Sequence, residues 1–388
     1  MGTVFLFDND AYLREFSGTV LECKQQDDGS FSIILDQTAF FPEQGGQTSD
    51  IGYIQDVEVV HVSIENEQII HHCKAPLAAG DQVCGRIDWN HRFNNMQQHT
   101  GEHIFTGLAH NKFDAENVGF HLSDNVVTLD LNVPLTSEQI AEVEAEANNI
   151  IAAAREVVAW YPNKEELQAI SYRSKKEIEG AIRLVRVADI DICACCAPHV
   201  RNTSEVGILK VVNFEKYKGG VRVYILCGLR ALGDYTRRMA TLAECTKLFS
   251  CGEAELLGNI KKVQEEARLQ KQEAAAAKRQ LLQLQVKELS KDAKNAIVFT
   301  DGVDSKTMRE VVNEMVEQFK SGICGIFSGD DEKGYSYILA SGQIDMTKVA
   351  GSLRTQLNCK GGGSAAMIQG QIFNNKEEIG KVLDGGNY

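Results

Sequence analysis

Gln97-Gln98-His99-Thr100-Gly101-Glu102-His103 is the stretch on which the reading of this 388-residue chain turns. Residues 90–109 show helical spacing with no internal proline, although Gly101 and Gly107 weaken the helix somewhat. On a helix, His99 and His103 stand at i and i+4, so both imidazoles share one face with Cβ atoms about 5–6 Å apart. That separation suits a single metal ion; the bland alternative is a pair of half-buried, hydrogen-bonded histidines. Far downstream, Cys195-Cys196-Ala197-Pro198-His199 offers a thiolate and another imidazole four residues apart. Together the two segments supply three imidazoles and one thiolate, a tetrahedral set suited to zinc. Spacing does not choose between Cys195 and Cys196. Without a metal, Cys193, Cys195 and Cys196 are small residues packed at a strand end.

Outward from this stretch the pattern changes on both sides. Residues 1–88 read as β-rich, with apolar runs at Phe31–Leu35, Val57–Val62 and Gln68–His71 separated by turn clusters such as Asp27-Asp28-Gly29. Short strands at this spacing predict a small β-barrel. Residues 89–235 read as α+β: the histidine helix, strands around Gly119–Leu131, and a helix through Ala141–Ala154 with Ser137 as its N-cap. Strands follow at Arg183–Ile192, Gly207–Glu215 and Val221–Cys227. Residues 236–294 are a helical connector rich in Ala, Glu, Lys, Gln and Leu, interrupted at Gly252 and Gly258. Its Leu282, Val286 and Leu289 have a/d-like spacing. It is either a solvated connecting helix or a helical arm, and a homodimer could form through it or through the C-terminal domain. Residues 295–388 alternate strands and helices, a compact α/β domain, with Gly361-Gly362-Gly363 in the turn after the helix Met346–Leu357.

The net charge of −14 opposes indiscriminate binding to nucleic acid. Arg173 to Arg238, however, holds thirteen Lys/Arg against seven acids, a local +6. Such a window is either a face that steers a polyanion or a solvated mixed surface. No run approaches the roughly 20 apolar residues of a membrane span, so no membrane association is expected. Eleven cysteines without an export signal point to a reducing, cytoplasmic setting.

HTGEH at 99–103 and CCAPHV at 195–200 resemble the HxxxH and CxxxH motifs of the alanyl-tRNA synthetase editing domain and its free-standing AlaX relatives. Residues 40–52, FFPEQGGQTSDIG, resemble the glycine-rich signature of the small barrel preceding that domain, and VGFHLS at 118–123 matches in character. KGGGSAAMIQG at 360–370 is similar to the DHH-associated domain at the synthetase C-terminus. The pieces run in family order along essentially the whole chain, beginning at the barrel with no aminoacylation domain, which resembles a long-form AlaX protein. Two departures stand out: Cys196-Ala197-Pro198 replaces Gly-Gly-Thr and adds a thiol, and Ser364-Ala365-Ala366 replaces a more polar run.

The resemblance implies a zinc-dependent, ATP-independent hydrolase that removes serine, and glycine by the same route, from mischarged tRNA(Ala). His99, His103, Cys195 and His199 are its implied Zn2+ ligands. Glu102, beside His103, is a candidate general base, against the plainer reading of an exposed helix carboxylate. Thr100 is a candidate catalytic and pocket hydroxyl for telling serine from alanine, unless it bonds to its own helix backbone. Asn117, Gly119 and His121 on the following strand, and Gly45, Gly46 and Gln47 in the barrel motif, complete the candidate substrate-binding set. Two rivals remain: a non-catalytic tRNA-binding module with structural zinc, and a metal hydrolase acting on a small ester or amide.

Overall fold

The computed structural model describes residues 2–123, 126–174, 180–290, 293–319 and 322–386. It divides into two compact units, Met1–Ala243 and Glu244–Tyr388.

In the first unit, six antiparallel strands close on themselves in the order Glu15–Gln25, Phe31–Leu35, Gln68–Cys73, Val57–Glu65, Gly52–Ile54 and Gln82–Ile87. Their alternation places Val20, Ile33, Leu35, Ile54, Val62 and Ile69 inside with Phe40 and Phe41. The site helix Trp89–Phe113 starts directly after the last of these strands, capped by Asp88, whose carboxylate accepts from His91 N. It packs Met96, Ile104, Phe105 and Leu108 into a core with Leu129, Leu131, Val223 and Ile225. The latter come from a four-stranded antiparallel sheet ordered Leu209–Tyr217, Gly220–Cys227, Val127–Leu131, Asn117–Leu122.

Helix and sheet touch closely at Gly101. A Cβ there would lie 2.3 Å from Cys227 Sγ, so the residue that weakens the helix locally is the one that admits the strand. Gln98 seals the contact, donating to Cys227 O at 2.8 Å and accepting from Cys227 N at 2.7 Å. A three-stranded sheet, Val157–Trp160, Leu184–Val187 and Asp191–Ala194, carries the cysteine segment at its end. The helix that follows the strands Asn117–Leu122 and Val127–Leu131 begins one residue earlier than expected: Thr136 is the N-cap, forming a capping box with Gln139, and Ser137 is the first helical residue.

In the second unit a five-stranded sheet runs in the order Ala296–Thr300, Cys324–Asp330, Gly334–Ala340, Met367–Ile372, Cys359–Gly363. Val311, Val312 and Met315 of Ser305–Gln318 cover one face with Ile326 and Ile338; Val349 and Leu353 of Met346–Gln356 cover the other with Phe327 and Tyr337. Gly361 to Gly363 is not a turn. It forms the edge strand, with Gly361 opposite Gly370.

The helical connector also differs from expectation. It is two helices, Gly228–Phe249 and Glu253–Lys287, broken at Gly252 but continuous through Gly258. A single helical glycine costs about 1 kcal/mol relative to alanine, too little to stop a 35-residue helix. Leu282 and Val286 are buried in the core of the C-terminal unit, with Leu289 packed beside them, so their a/d-like spacing serves an intramolecular contact. Among the described residues no helix is long and apolar enough to cross a membrane.

Candidate metal and catalytic site

The ligand atoms of His99, His103, Cys195 and His199 all lie within 4.8 Å of one another, and all three imidazoles are buried. Cys195 Sγ is 3.5 Å from His99 Nε2 and 3.3 Å from His199 Nε2. Each imidazole is held from behind by its other nitrogen. His99 Nδ1 donates to Gln47 Oε1 at 2.8 Å, His103 Nδ1 to Asp191 Oδ2 at 2.9 Å, and His199 Nδ1 to Thr100 Oγ1 at 3.0 Å. Placing the proton on Nδ1 leaves the Nε2 lone pairs converging with the thiolate, the arrangement outer partners impose around metal-binding histidines. Burial alone would push His103 down, but the Asp191 hydrogen bond and the neighbouring carboxylates outweigh it and hold its pKa above the ordinary value.

Cys195 and Cys196 are distinguished by the turn between them. Arg183, buried beneath it, donates from Nη1 to the carbonyls of Cys195 at 3.0 Å and Ala197 at 2.9 Å. Cys195 faces the imidazoles. Cys196 faces the barrel motif, where a Cβ on Gly45 would lie 3.4 Å from its Sγ, and burial pushes its thiol up to about 12.

Glu102 is buried, not exposed. Its Oε1 accepts from Thr106 Oγ1 at 3.2 Å and Asn117 Nδ2 at 2.5 Å. Its Oε2 lies 3.9 Å from His99 Nε2 and 3.8 Å from His103 Nε2, facing the converging nitrogens. Asn117 is therefore engaged with Glu102, and Gly119 N donates to Asn117 Oδ1 at 3.1 Å. Thr100 is fully buried, and besides meeting His199 its hydroxyl accepts from Val200 N at 3.3 Å. His121, on the same strand as Asn117, is exposed.

Gly45-Gly46-Gln47 approaches the site from the barrel side. Leu122 N donates to Gly46 O at 2.7 Å, and Gln47 forms a parallel bridge with Leu122. Gln47 is fully buried with its Oε1 on His99, while its Nε2 has no hydrogen-bond partner among the described residues. Gly46 has φ of 85°, and a Cβ there would meet Phe120 O at 2.7 Å. Gly46→Ala is expected to cost about 1–3 kcal/mol through backbone strain, read by urea unfolding; wild-type stability would show that the loop yields.

The basic window is largely neutralised. Arg173 pairs with Asp191, Arg201 with Asp10, Lys210 with Glu144, Arg222 with Asp130, and Arg237 and Arg238 with Asp234. Lys175, Lys176, Glu177 and Glu179 of that window lie outside the described residues. A cavity of about 130 Å³ beside His199 has Asp8, Asp10, Tyr12, Arg183 and Arg201 among its walls, so its charges are mixed too. Three residues with structural roles here, Asp191, Arg173 and Arg183, were read in the sequence only as charge. Their roles depend on partners far along the chain, which no local pattern marks.

Among known proteins, residues 12–91 match the family of class II (A) tRNA synthetases, residues 182–224 the second additional domain of threonyl and alanyl tRNA synthetases, and residues 292–385 the DHHA1 domain. The chain is 30% identical over 391 residues to alanyl-tRNA editing protein Aarsd1 of Rattus norvegicus, covering 95% of this chain and 93% of that one. It is 27% identical over 388 residues to alanyl-tRNA editing protein AlaX-L of Pyrococcus horikoshii, covering 96% of each. Alanine–tRNA ligase of Ignicoccus hospitalis is 28% identical over 372 residues, which span 92% of this chain and 40% of the ligase.

Proposed function

Because this chain belongs to the alanyl-tRNA editing protein family, we propose that it hydrolyses the ester joining a wrongly attached amino acid, serine foremost and glycine as well, to tRNA(Ala). The observation that carries the reading is the convergence of His99, His103, Cys195 and His199, with Gln47, Asp191 and Thr100 fixing the three imidazoles. The spacing supports zinc. Ligands at about 2.0–2.1 Å (N) and 2.3 Å (S) around a tetrahedral ion stand roughly 3.3–3.6 Å apart, and the two thiol–imidazole distances are 3.3 and 3.5 Å. When bound, zinc would supply Lewis-acid polarisation and a fixed point for the substrate.

The chain's own groups do the rest. Glu102 presents Oε2 toward the converging nitrogens, where it would take the proton of the attacking water. Thr100 acts through His199, holding its Nδ1. Gln47 Nε2, a buried donor without a partner among the described residues, is the group that a seryl hydroxyl would satisfy. A site built to bond a substrate hydroxyl can reject an analogue lacking it by roughly 10⁴–10⁵, which would spare alanine; glycine, which lacks the hydroxyl too, would enter because it is smaller and would gain nothing from that contact. Gly45, Gly46 and Gly119 would line the approach without bulk, and His121, exposed on the same strand as Gly119, would meet the tRNA from outside.

The closed sheet and its flanks (1–88) and the α+β segment (89–235) would hold the aminoacyl end. The connector (236–294) and C-terminal domain (295–388) would bind another part of the tRNA by shape and phosphates. This assignment uses a single copy of the chain. A closed four-ligand set is also what a structural zinc site looks like, which favours a tRNA-binding module without turnover as the second reading.

The test is deacylation of Ser-tRNA(Ala), Gly-tRNA(Ala) and Ala-tRNA(Ala) by the purified chain, with zinc measured on the same sample. Rapid loss of serine or glycine with alanine spared is expected. One zinc per chain and no hydrolysis of any of the three would replace the deacylase with the binding module.

A further inference from the structure

Resting on the deacylase reading, we propose that Arg173 is a positioning residue that sets two groups of the site at once: His103 through Asp191, and Glu102 through Thr106. The guanidinium forks. Its Nε donates to Asp191 Oδ1 at 2.8 Å, and the other oxygen of that carboxylate, Oδ2, meets His103 Nδ1 at 2.9 Å. Its Nη2 donates to Thr106 Oγ1 at 3.0 Å, and Thr106 Oγ1 lies 3.2 Å from Glu102 Oε1.

The direction of the second arm is forced by donor chemistry. A guanidinium only donates, so the Thr106 oxygen accepts from it, and the single hydroxyl hydrogen is left for Glu102. The amide of Asn117 is oriented likewise: its Oδ1 accepts from Gly119 N, which turns Nδ2 to the same Glu102 oxygen. Two ordered donors on Oε1 leave Oε2 on the side of His99 and His103. Thr106, Glu102, His103 and Asp191 are all buried, so these bonds form where competing water is scarce. Arg173 is itself tied down: its N donates to Ile192 O at 2.8 Å and its O accepts from Ala194 N at 2.9 Å, beside Asp191. One cation thus couples the orientation of a candidate metal ligand to that of the carboxylate facing it.

The two arms can be separated in the full-length, zinc-loaded chain. Thr106→Val keeps the side-chain shape and the Asp191 arm while deleting the hydroxyl bridge. It is expected to lower kcat on Ser-tRNA(Ala) by about 10–100-fold, the range for loss of an outer partner, with KM and zinc content unchanged and with Thr106→Ser restoring kcat. Arg173→Gln removes both arms and is expected in addition to speed the loss of zinc to a chelator. Arg173→Lys, a point donor that cannot span both partners, is expected to fall between. Wild-type kcat for Thr106→Val overturns the Glu102 arm, and wild-type zinc retention by Arg173→Gln overturns the His103 arm. A wild-type chain that hydrolyses none of the aminoacyl-tRNAs defeats the deacylase reading instead, while zinc retention still decides the His103 arm.

Discussion

Cys195→Ser is expected to empty the metal site and to lower deacylation of Ser-tRNA(Ala) by more than about 100-fold, beyond the loss that removal of an outer partner causes. A serine hydroxyl is harder and stays protonated where a thiolate would bind, so it is a poor ligand for zinc. Cys196→Ser is the matched control and is expected to keep both metal and activity. Its Sγ sits against Gly45 rather than among the imidazoles, and Arg183 holds the turn by backbone carbonyls that neither substitution touches. Zinc determination by atomic absorption alongside initial deacylation rates reads both variants. Metal loss in Cys196→Ser with retention in Cys195→Ser would reverse the ligand assignment.

The second large effect concerns stability. Arg92 and Asp50 are both fully buried. Arg92 Nε lies 3.0 Å from both Asp50 oxygens and Nη2 adds a further, shorter contact to Asp50 Oδ2. Nη1 also donates to Ala11 O at 2.9 Å and Nη2 to Ala39 O at 2.6 Å, while Asp50 accepts from Phe41 N at 2.6 Å. This pair joins the site helix to the loops around the closed sheet before it. Arg92→Met is expected to destabilise by about 3–5 kcal/mol, because it leaves a carboxylate buried without its counter-charge. The double variant Arg92→Met/Asp50→Asn is expected to regain part of that loss, since the uncompensated charge is the larger penalty. Urea unfolding followed by tryptophan fluorescence is suitable, with Trp89 three residues from Arg92. A single variant as stable as wild type would show that the pair contributes little.

What the sequence determined by itself was local. The i, i+4 spacing put His99 and His103 on one helix face, because the geometry of one helical turn is set within a few residues, and Cys195-Cys196 so close before His199 marked a second thiol–imidazole segment without choosing the sulfur. Hydrophobic period likewise separated strand from helix over most of the chain. It failed where one weak local signal was asked to end a long element: Gly258 remains inside its helix, and Gly361 to Gly363 pair as a strand instead of turning. Tertiary structure alone decided which sulfur meets the imidazoles, since Arg183 fixes the direction of the turn from outside it. It also decided that Glu102 is enclosed, that Gln47 and Asp191 hold His99 and His103, and that Arg173 faces Asp191 and Thr106 and not solvent. Those partners lie from 12 to 88 residues apart in sequence. Only packing brings them within hydrogen-bonding distance, and burial is what makes leaving any one of them unpaired costly.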